Sequence, residues 1–140
     1  MHSNFNQNFT EHTKDGRPLV LVVDNDRDNL LLVSCVVESM GINYVVTNES
    51  EHCLNLVEEL LPDIILLDIV MPKVSGLEIA SILRQNERLS HIPLLAVTGL
   101  TKNEDRQKLI EVGFDDYLSK PYLIEELEAK LHQLLKDPLA

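Results

Sequence analysis

Four short stretches of this chain carry side chains that could do phosphate chemistry together. They are Asp24-Asn25-Asp26, Asp68, Thr98 and Lys120-Pro121. Two carboxylates brought within about 4 Å repel by roughly 4 kcal/mol at an effective dielectric near 20. A hard divalent cation relieves that repulsion, and oxygen ligands without histidine or cysteine suit Mg²⁺. A cation so held can bridge to phosphate oxygens, an ammonium can neutralise another oxygen, and a hydroxyl can donate to a third. Phosphoryl transfer needs that kind of positioning and charge stabilisation. An aspartate can itself be the nucleophile, giving an aspartyl phosphate.

Such chemistry requires the four stretches to meet, and the apolar pattern supplies the frame. Asp68 ends the run Ile64-Ile65-Leu66-Leu67, which reads as a strand buried on both faces, as in a parallel sheet. Leu19 to Val23 is another buried strand and runs into Asp24. Tyr44 to Thr47, Leu94 to Thr98 and Tyr117 to Ser119 complete five strands. Between them lie helical stripes. Leu30, Val33, Val37 and Met40 form the first, with Gly41 as its stop. Leu54, Val57, Leu60 and Leu61 form the second, and Ile79, Ile82 and Leu83 the third. The fourth helix, Asn103 to Val112, is charged and ends at Gly113. Ile124, Leu127, Leu131, Leu134 and Leu135 make the last and clearest stripe. Strict alternation predicts an α/β domain, a parallel sheet with helices on both faces. All four polar stretches then sit at carboxyl ends of strands, where open α/β sheets collect their ligands.

Bulk composition narrows the function classes. The chain has 140 residues, 44% of them hydrophobic, enough for one domain with a real core. We expect a polar, poorly ordered extension over 1–17, a domain over 18–137 and a tail at 138–140, with no linker to an effector domain after it. No apolar run approaches the ~18 residues of a membrane span, and the polar start shows no signal peptide. The net charge of −11 argues against nucleic acid or an anionic membrane as a direct partner. Cys35 and Cys53 lack CxxC spacing and read as reduced thiols, so the expected location is cytoplasmic. The five histidines are scattered without metal-ligand spacing and read as surface or tail residues.

Residue by residue, the chain resembles the receiver domain of bacterial two-component response regulators, over about 18–137. The resemblance rests on Val22-Val23-Asp24-Asn25-Asp26, the run Asp68 to Gly76, Ala96-Val97-Thr98-Gly99, and the run Gly113 to Pro121, each after its own strand. It implies a flavodoxin-like doubly wound sheet of five parallel strands, order 2-1-3-4-5, with five helices. It implies Asp68 as phosphoacceptor, with Mg²⁺ held by Asp24, position 25, Asp68 and the Val70 backbone carbonyl. Thr98 and Lys120 would contact the phosphoryl group, Tyr117 would be an aromatic switch, and the Lys120–Pro121 bond would be cis. The expected role is a phosphorylation-dependent signalling switch rather than an enzyme, with only Mg²⁺-dependent self-phosphorylation and slow autodephosphorylation. Its phosphoryl donor would be a sensor histidine kinase or phosphotransfer protein. Its output would be a downstream protein on the face of the fourth helix, fifth strand and fifth helix, or a homodimer.

The family usually carries a second acid where this chain has Asn25. An amide oxygen can still coordinate, but one negative charge is gone, so a raised Mg²⁺ requirement is expected. Asp26 could compensate through water, although Asp26 and Asp28 read better as caps or first-turn charges of the first helix. In that family the residues two beyond the phosphoacceptor and two beyond the threonine flank the path of attacking water; the resemblance puts Val70 and Leu100 there, both apolar, which predicts a long-lived phosphoryl group. Met71-Pro72 and Gly76 read as backbone geometry. Plainer readings compete elsewhere: Thr98 as a β-branched strand residue and Tyr117 as half-buried core. Two other functions stand against the switch. A receiver-like scaffold would bind partners without phosphorylation. A haloacid-dehalogenase-type phosphatase would use Asp24 as nucleophile and Asp26 as acid. That second alternative leaves Asp68, Met71-Pro72 and Gly76 unexplained, and puts Lys120 on the wrong side of Asp115-Asp116.

Overall fold

The apolar runs become five parallel strands in one sheet: β1 (Leu19–Val23), β2 (Asn43–Thr47), β3 (Ile64–Leu67), β4 (Leu94–Thr98) and β5 (Asp116–Ser119). Their order is β2-β1-β3-β4-β5, the flavodoxin-like arrangement expected. This computed structural model describes residues 16–99 and 103–135. Leu100, the tail at 138–140 and all but the last two residues of the N-terminal extension lie outside them.

Every strand residue of β1, β3 and β4 is buried, because helices cover both faces of the sheet. Side chains alternate between those faces. Leu19, Leu21, Val23, Ile65, Leu67, Leu94 and Ala96 pack on one side, beneath α2 (Cys53–Leu60), α3 (Gly76–Gln85) and α4 (Asn103–Val112). Val20, Val22, Ile64, Leu66, Leu95 and Val97 pack on the other, beneath α1 (Arg27–Ser39) and α5 (Ile124–Leu135). Cys35 on α1 is exposed, Cys53 is buried, and both thiols are free.

Three stripe residues depart from expectation. Ile82 is exposed. The buried face of α3 is Gly76, Ile79, Ala80 and Leu83, and at about 100° per residue Ile82 lies roughly 110° from its centre. Leu61 takes a left-handed conformation as the C-cap of α2 and turns out to solvent ahead of Pro62. Ile124 is exposed at the start of α5, and burial begins at Leu127. A 3-10 turn over Ser50–His52, absent from the sequence reading, precedes α2. Its Ser50 hydroxyl donates to the Pro72 carbonyl at 2.9 Å and accepts from the Val74 amide at 3.2 Å. That one buried serine ties the β2–α2 connection to the loop after β3.

Two glycines are dictated by neighbours. A Cβ on Gly76 would lie 2.4 Å from the Asp68 carbonyl oxygen, so the start of α3 can pack against the end of β3 only without a side chain. Gly113 combines φ +124 with a Cβ position 2.6 Å from Arg84 Cγ. That guanidinium stitches α3 to the far strands. Its Nε donates to the Gly113 carbonyl and its Nη1 to the Ser90 and Ile92 carbonyls, all at 2.8 Å. Its Nη2 pairs with Asp115 at 2.9 Å.

Candidate functional site

The sheet's hydrogen bonding continues past the strand ends and sets the acids side by side. The Asp68 amide donates to the Val23 carbonyl at 2.9 Å, placing Asp68 next to Asp24. The Lys120 amide donates to the Thr98 carbonyl at 2.8 Å, which fixes the ends of β4 and β5 together. Asp24, Asp68 and Thr98 are buried, at 1%, 6% and 0% exposure. The Lys120–Pro121 bond is cis, as expected. A capping box at the start of α3, Ser75 with Glu78, closes the loop that follows Asp68.

Lys120 joins the two acids. Its Nζ lies 2.9 Å from Asp24 Oδ2 and 3.5 Å from Asp68 Oδ2. The Val70 amide donates to Asp68 Oδ1 at 3.2 Å. Asp24 is held by two more donors: the Asp26 amide on Oδ1 at 2.8 Å and Asn29 Nδ2 on Oδ2 at 2.7 Å. Asn29 in turn accepts from the Tyr122 hydroxyl at 2.5 Å. Asn25 is exposed beside Asp24. Asp26 is occupied as N-cap of α1, its Oδ1 accepting from the Asp28 and Asn29 amides at 3.0 and 3.4 Å, so the capping reading holds. Val70 is 64% exposed, at the rim above Asp68.

The charges are unequal. Burial, then the charge of Asp24, push the Asp68 carboxyl up to about 6, against the opposing pull of Lys120 and the Val70 amide. Burial lowers the Lys120 ammonium, but the Asp24 hydrogen bond and the charges of Asp24, Asp68 and Asp26 outweigh it and hold the group above its ordinary value. Two buried acids against one ammonium leave an excess negative charge. The donors present are all oxygen: two carboxylates, the exposed Asn25 amide and backbone carbonyls. That set fits a hard cation such as Mg²⁺ and does not suit a soft one.

Tyr117 is not part of this cluster. It is half-buried against the core beneath α4, and its ring lies under the Arg106 guanidinium, 5.2 Å from the centroid. It lines a separate cavity of about 370 Å³ with Arg106, Glu126 and Lys130. Across that face Lys130 pairs with Asp116 at 2.7 Å. His52 lies with Glu49 and Glu51 in an exposed group that spacing had not suggested, and Lys73 pairs with Glu51 at 2.9 Å. Among the described residues no helix is long and apolar enough to cross a membrane.

Sequence reasoning passed over Asn29 and Tyr122. The available signals were an amide in the first turn of α1 and an aromatic directly after Lys120-Pro121. Neither announces a partner, because the two meet only when α1 packs beside the β5–α5 loop.

Comparison with known proteins agrees with this geometry. The family model of the response regulator receiver domain matches residues 20–132. The DNA-binding dual master transcriptional regulator RpaA of Synechocystis sp. is 35% identical over 119 residues, 85% of this chain and 49% of RpaA. The chain thus spans about half the length of that relative. The polar-differentiation response regulator DivK of Brucella ovis is 33% identical over 118 residues, 84% of this chain and 96% of DivK. In the solved structures, the receiver domain of sensor histidine kinase PA1611 from Pseudomonas aeruginosa PAO1 superposes with a TM-score of 0.79. It is 23% identical, covers 86% of this chain and 99% of its own, and carries a magnesium ion coordinated in its active site cleft. None of these matches favours a haloacid-dehalogenase-type phosphatase or a phosphorylation-independent scaffold. The match runs from within β1 to within α5 and takes in all four polar strand ends, and the chain belongs to the response regulator receiver domain family, the phosphorylation-dependent switches of two-component signalling.

Proposed function

We propose that Asp68 is the phosphoacceptor of this switch, taking a phosphoryl group from a sensor histidine kinase or a phosphotransfer protein. The observation that carries the reading is the Lys120 ammonium lying between Asp24 and Asp68 at the carboxyl edge of the sheet. Asp68 offers its carboxylate oxygen as nucleophile. Lys120 would pair with a phosphoryl oxygen as charge builds there, and Thr98, at the end of β4, would donate its hydroxyl to another. Asp24, Asn25, Asp68 and the Val70 carbonyl would hold Mg²⁺. When bound, the cation supplies neutralisation of the clustered acids and of the phosphoryl oxygens. Asn25 brings an oxygen without a charge, which raises the Mg²⁺ concentration required. Val70, exposed at the rim, presents a methyl surface where water would approach, and so prolongs the phosphoryl group's life. Domain limits of 18–137 fit this role.

The output reading is a protein–protein one, through the face of α4, β5 and α5. Arg106, Asp116, Tyr117 and Lys130 give that face a mix of aromatic and paired charge. A phosphoryl group adds about −1.5 to −2 charge at Asp68. Drawing Thr98 toward it would free space for Tyr117 to turn inward, repacking the face and changing its affinity for a downstream protein or for a second copy of the chain. A cytoplasmic location follows from such partners.

The test is incubation with acetyl phosphate and Mg²⁺, with the phosphorylated fraction separated by gel retardation. We expect a single phosphorylated species that requires Mg²⁺ and is lost in Asp68→Asn and Lys120→Ala. Phosphorylation persisting in Asp68→Asn would overturn the assignment.

A further inference from the structure

Asp24 is held by more than its ion pair. Its Oδ2 accepts from two donors on different elements, Lys120 Nζ at 2.9 Å and Asn29 Nδ2 at 2.7 Å. Asn29 is itself buried, in the first turn of α1. A carboxylate only accepts, so the amide must present its nitrogen to Asp24, and its oxygen at the other end is left to accept a hydrogen bond of its own. Here that bond comes from the Tyr122 hydroxyl, which donates to Asn29 Oδ1. Tyr122 therefore satisfies the amide oxygen and holds the amide in the orientation that Asp24 requires. Its ring packs against the core shared with α1 and α5, so the hydroxyl is carried on an anchored side chain. The chain of contacts runs from the loop after β5, through α1, to the loop after β1. It ends on the same carboxylate oxygen that Lys120 reaches from the same β5–α5 loop.

We propose that Asn29 and Tyr122 are positioning residues that set the orientation of the Asp24 carboxylate for metal binding. The proposal rests on the reading of Asp24 as a Mg²⁺ ligand. Without the amide, Asp24 Oδ2 keeps Lys120 and Oδ1 keeps the Asp26 amide, and Lys120 is the group wanted for the incoming phosphoryl oxygen. The pin leaves Lys120 free to move to the phosphoryl group while Asp24 stays in place. It is also the part of the site best suited to offset Asn25, because orientation of the remaining carboxylates matters more when one charge is missing.

The two residues act in series, which sets the test. Mg²⁺ binding is measured by calorimetry on the full chain and on Asn29→Ala, Tyr122→Phe and the double variant. Each is also phosphorylated with acetyl phosphate over a Mg²⁺ series. We expect the Mg²⁺ half-saturation point to rise about tenfold in Asn29→Ala and about threefold in Tyr122→Phe, the size of one lost hydrogen bond. The double variant should match Asn29→Ala within about twofold, because a hydroxyl with no amide to orient has nothing to transmit. Extent of phosphorylation at saturating Mg²⁺ should be unchanged, which a general loss of structure would not allow. Tyr122→Phe keeps the packed ring, so it reports even if Asn29→Ala fails to fold. Parent-like Mg²⁺ binding in Tyr122→Phe, or effects that multiply in the double variant, would overturn the proposal while leaving Asp68 as phosphoacceptor. A parent chain that binds no Mg²⁺ would overturn the metal reading on which it rests.

Discussion

Replacing Asp68 by Asn should make the metal-free protein more stable. The Asp68 carboxyl is pushed from an ordinary 3.8 to about 6, first by burial and then by Asp24, so its ionised form is disfavoured in the fold. Two units at 1.36 kcal/mol each give roughly 3 kcal/mol as an upper bound. The carboxyl lies beside the exposed Asn25, and screening from that side reduces the expected gain to about 1–2 kcal/mol. The sign follows from linkage. The folded chain binds this proton more tightly than the unfolded one, so the parent keeps full stability below 3.8 and loses it as pH rises through about 6. The advantage of Asp68→Asn is therefore fully present above about 6, shrinks as pH falls toward 3.8, and vanishes below it. The chain has no tryptophan, so urea unfolding is followed by far-UV circular dichroism, in chelator and again with Mg²⁺. A gain of this size moves the urea midpoint up by about 0.5–1 M. Mg²⁺ should stabilise the parent more than the variant and narrow the gap. An Asp68→Asn chain no more stable than the parent above neutral pH, in chelator, would refute the electrostatic reasoning.

Three further outcomes are expected. Asn25→Asp should lower the Mg²⁺ concentration for half-maximal phosphorylation by about tenfold, the order expected for one restored ligand charge near the metal; equal half-saturation points would contradict it. Val70→Asn places a hydrogen-bonding group where a methyl surface now faces water, and dephosphorylation should accelerate by at least several-fold, within the ~100-fold that positioned acid–base groups supply; an unchanged rate of phosphate loss would show that Val70 excludes nothing. Gly76→Ala drives a methyl to 2.4 Å from the Asp68 carbonyl oxygen, which should cost about 1–3 kcal/mol in urea unfolding as α3 backs away from β3; a loss under about 0.5 kcal/mol would contradict a close-packed α3–β3 junction.

The sheet was legible because parallel strands advertise themselves. Ile64 to Leu67 is apolar at every position, and its odd and even members go to opposite faces of the sheet. Strand ends were legible too, since Asp24, Asp68 and Thr98 each follow such a run directly. Helix stripes were read less well. Apolar residues three apart looked like one face, but Ile82 falls off the α3 row and Leu61 serves as a left-handed cap. Ser50 gave no periodic signal, because a single serine bridging two loops makes no pattern in sequence. The bland reading of Asp26 as a cap was the right one. Asn29 and Tyr122 were invisible for a further reason. They are separated by 93 residues, and their hydrogen bond exists only because α1 and the β5–α5 loop lie side by side. Side-chain type at a strand end is a local property, whereas the pin behind Asp24 is a property of packing.

The most direct test of the central claim is to locate the phosphoryl group itself. The chain is treated with acetyl phosphate and Mg²⁺, reduced with borohydride to convert aspartyl phosphate to homoserine, digested, and sequenced by mass spectrometry. The predicted result is conversion at Asp68 alone. Conversion at Asp24, or a chain unmodified at any Mg²⁺ concentration, would contradict it.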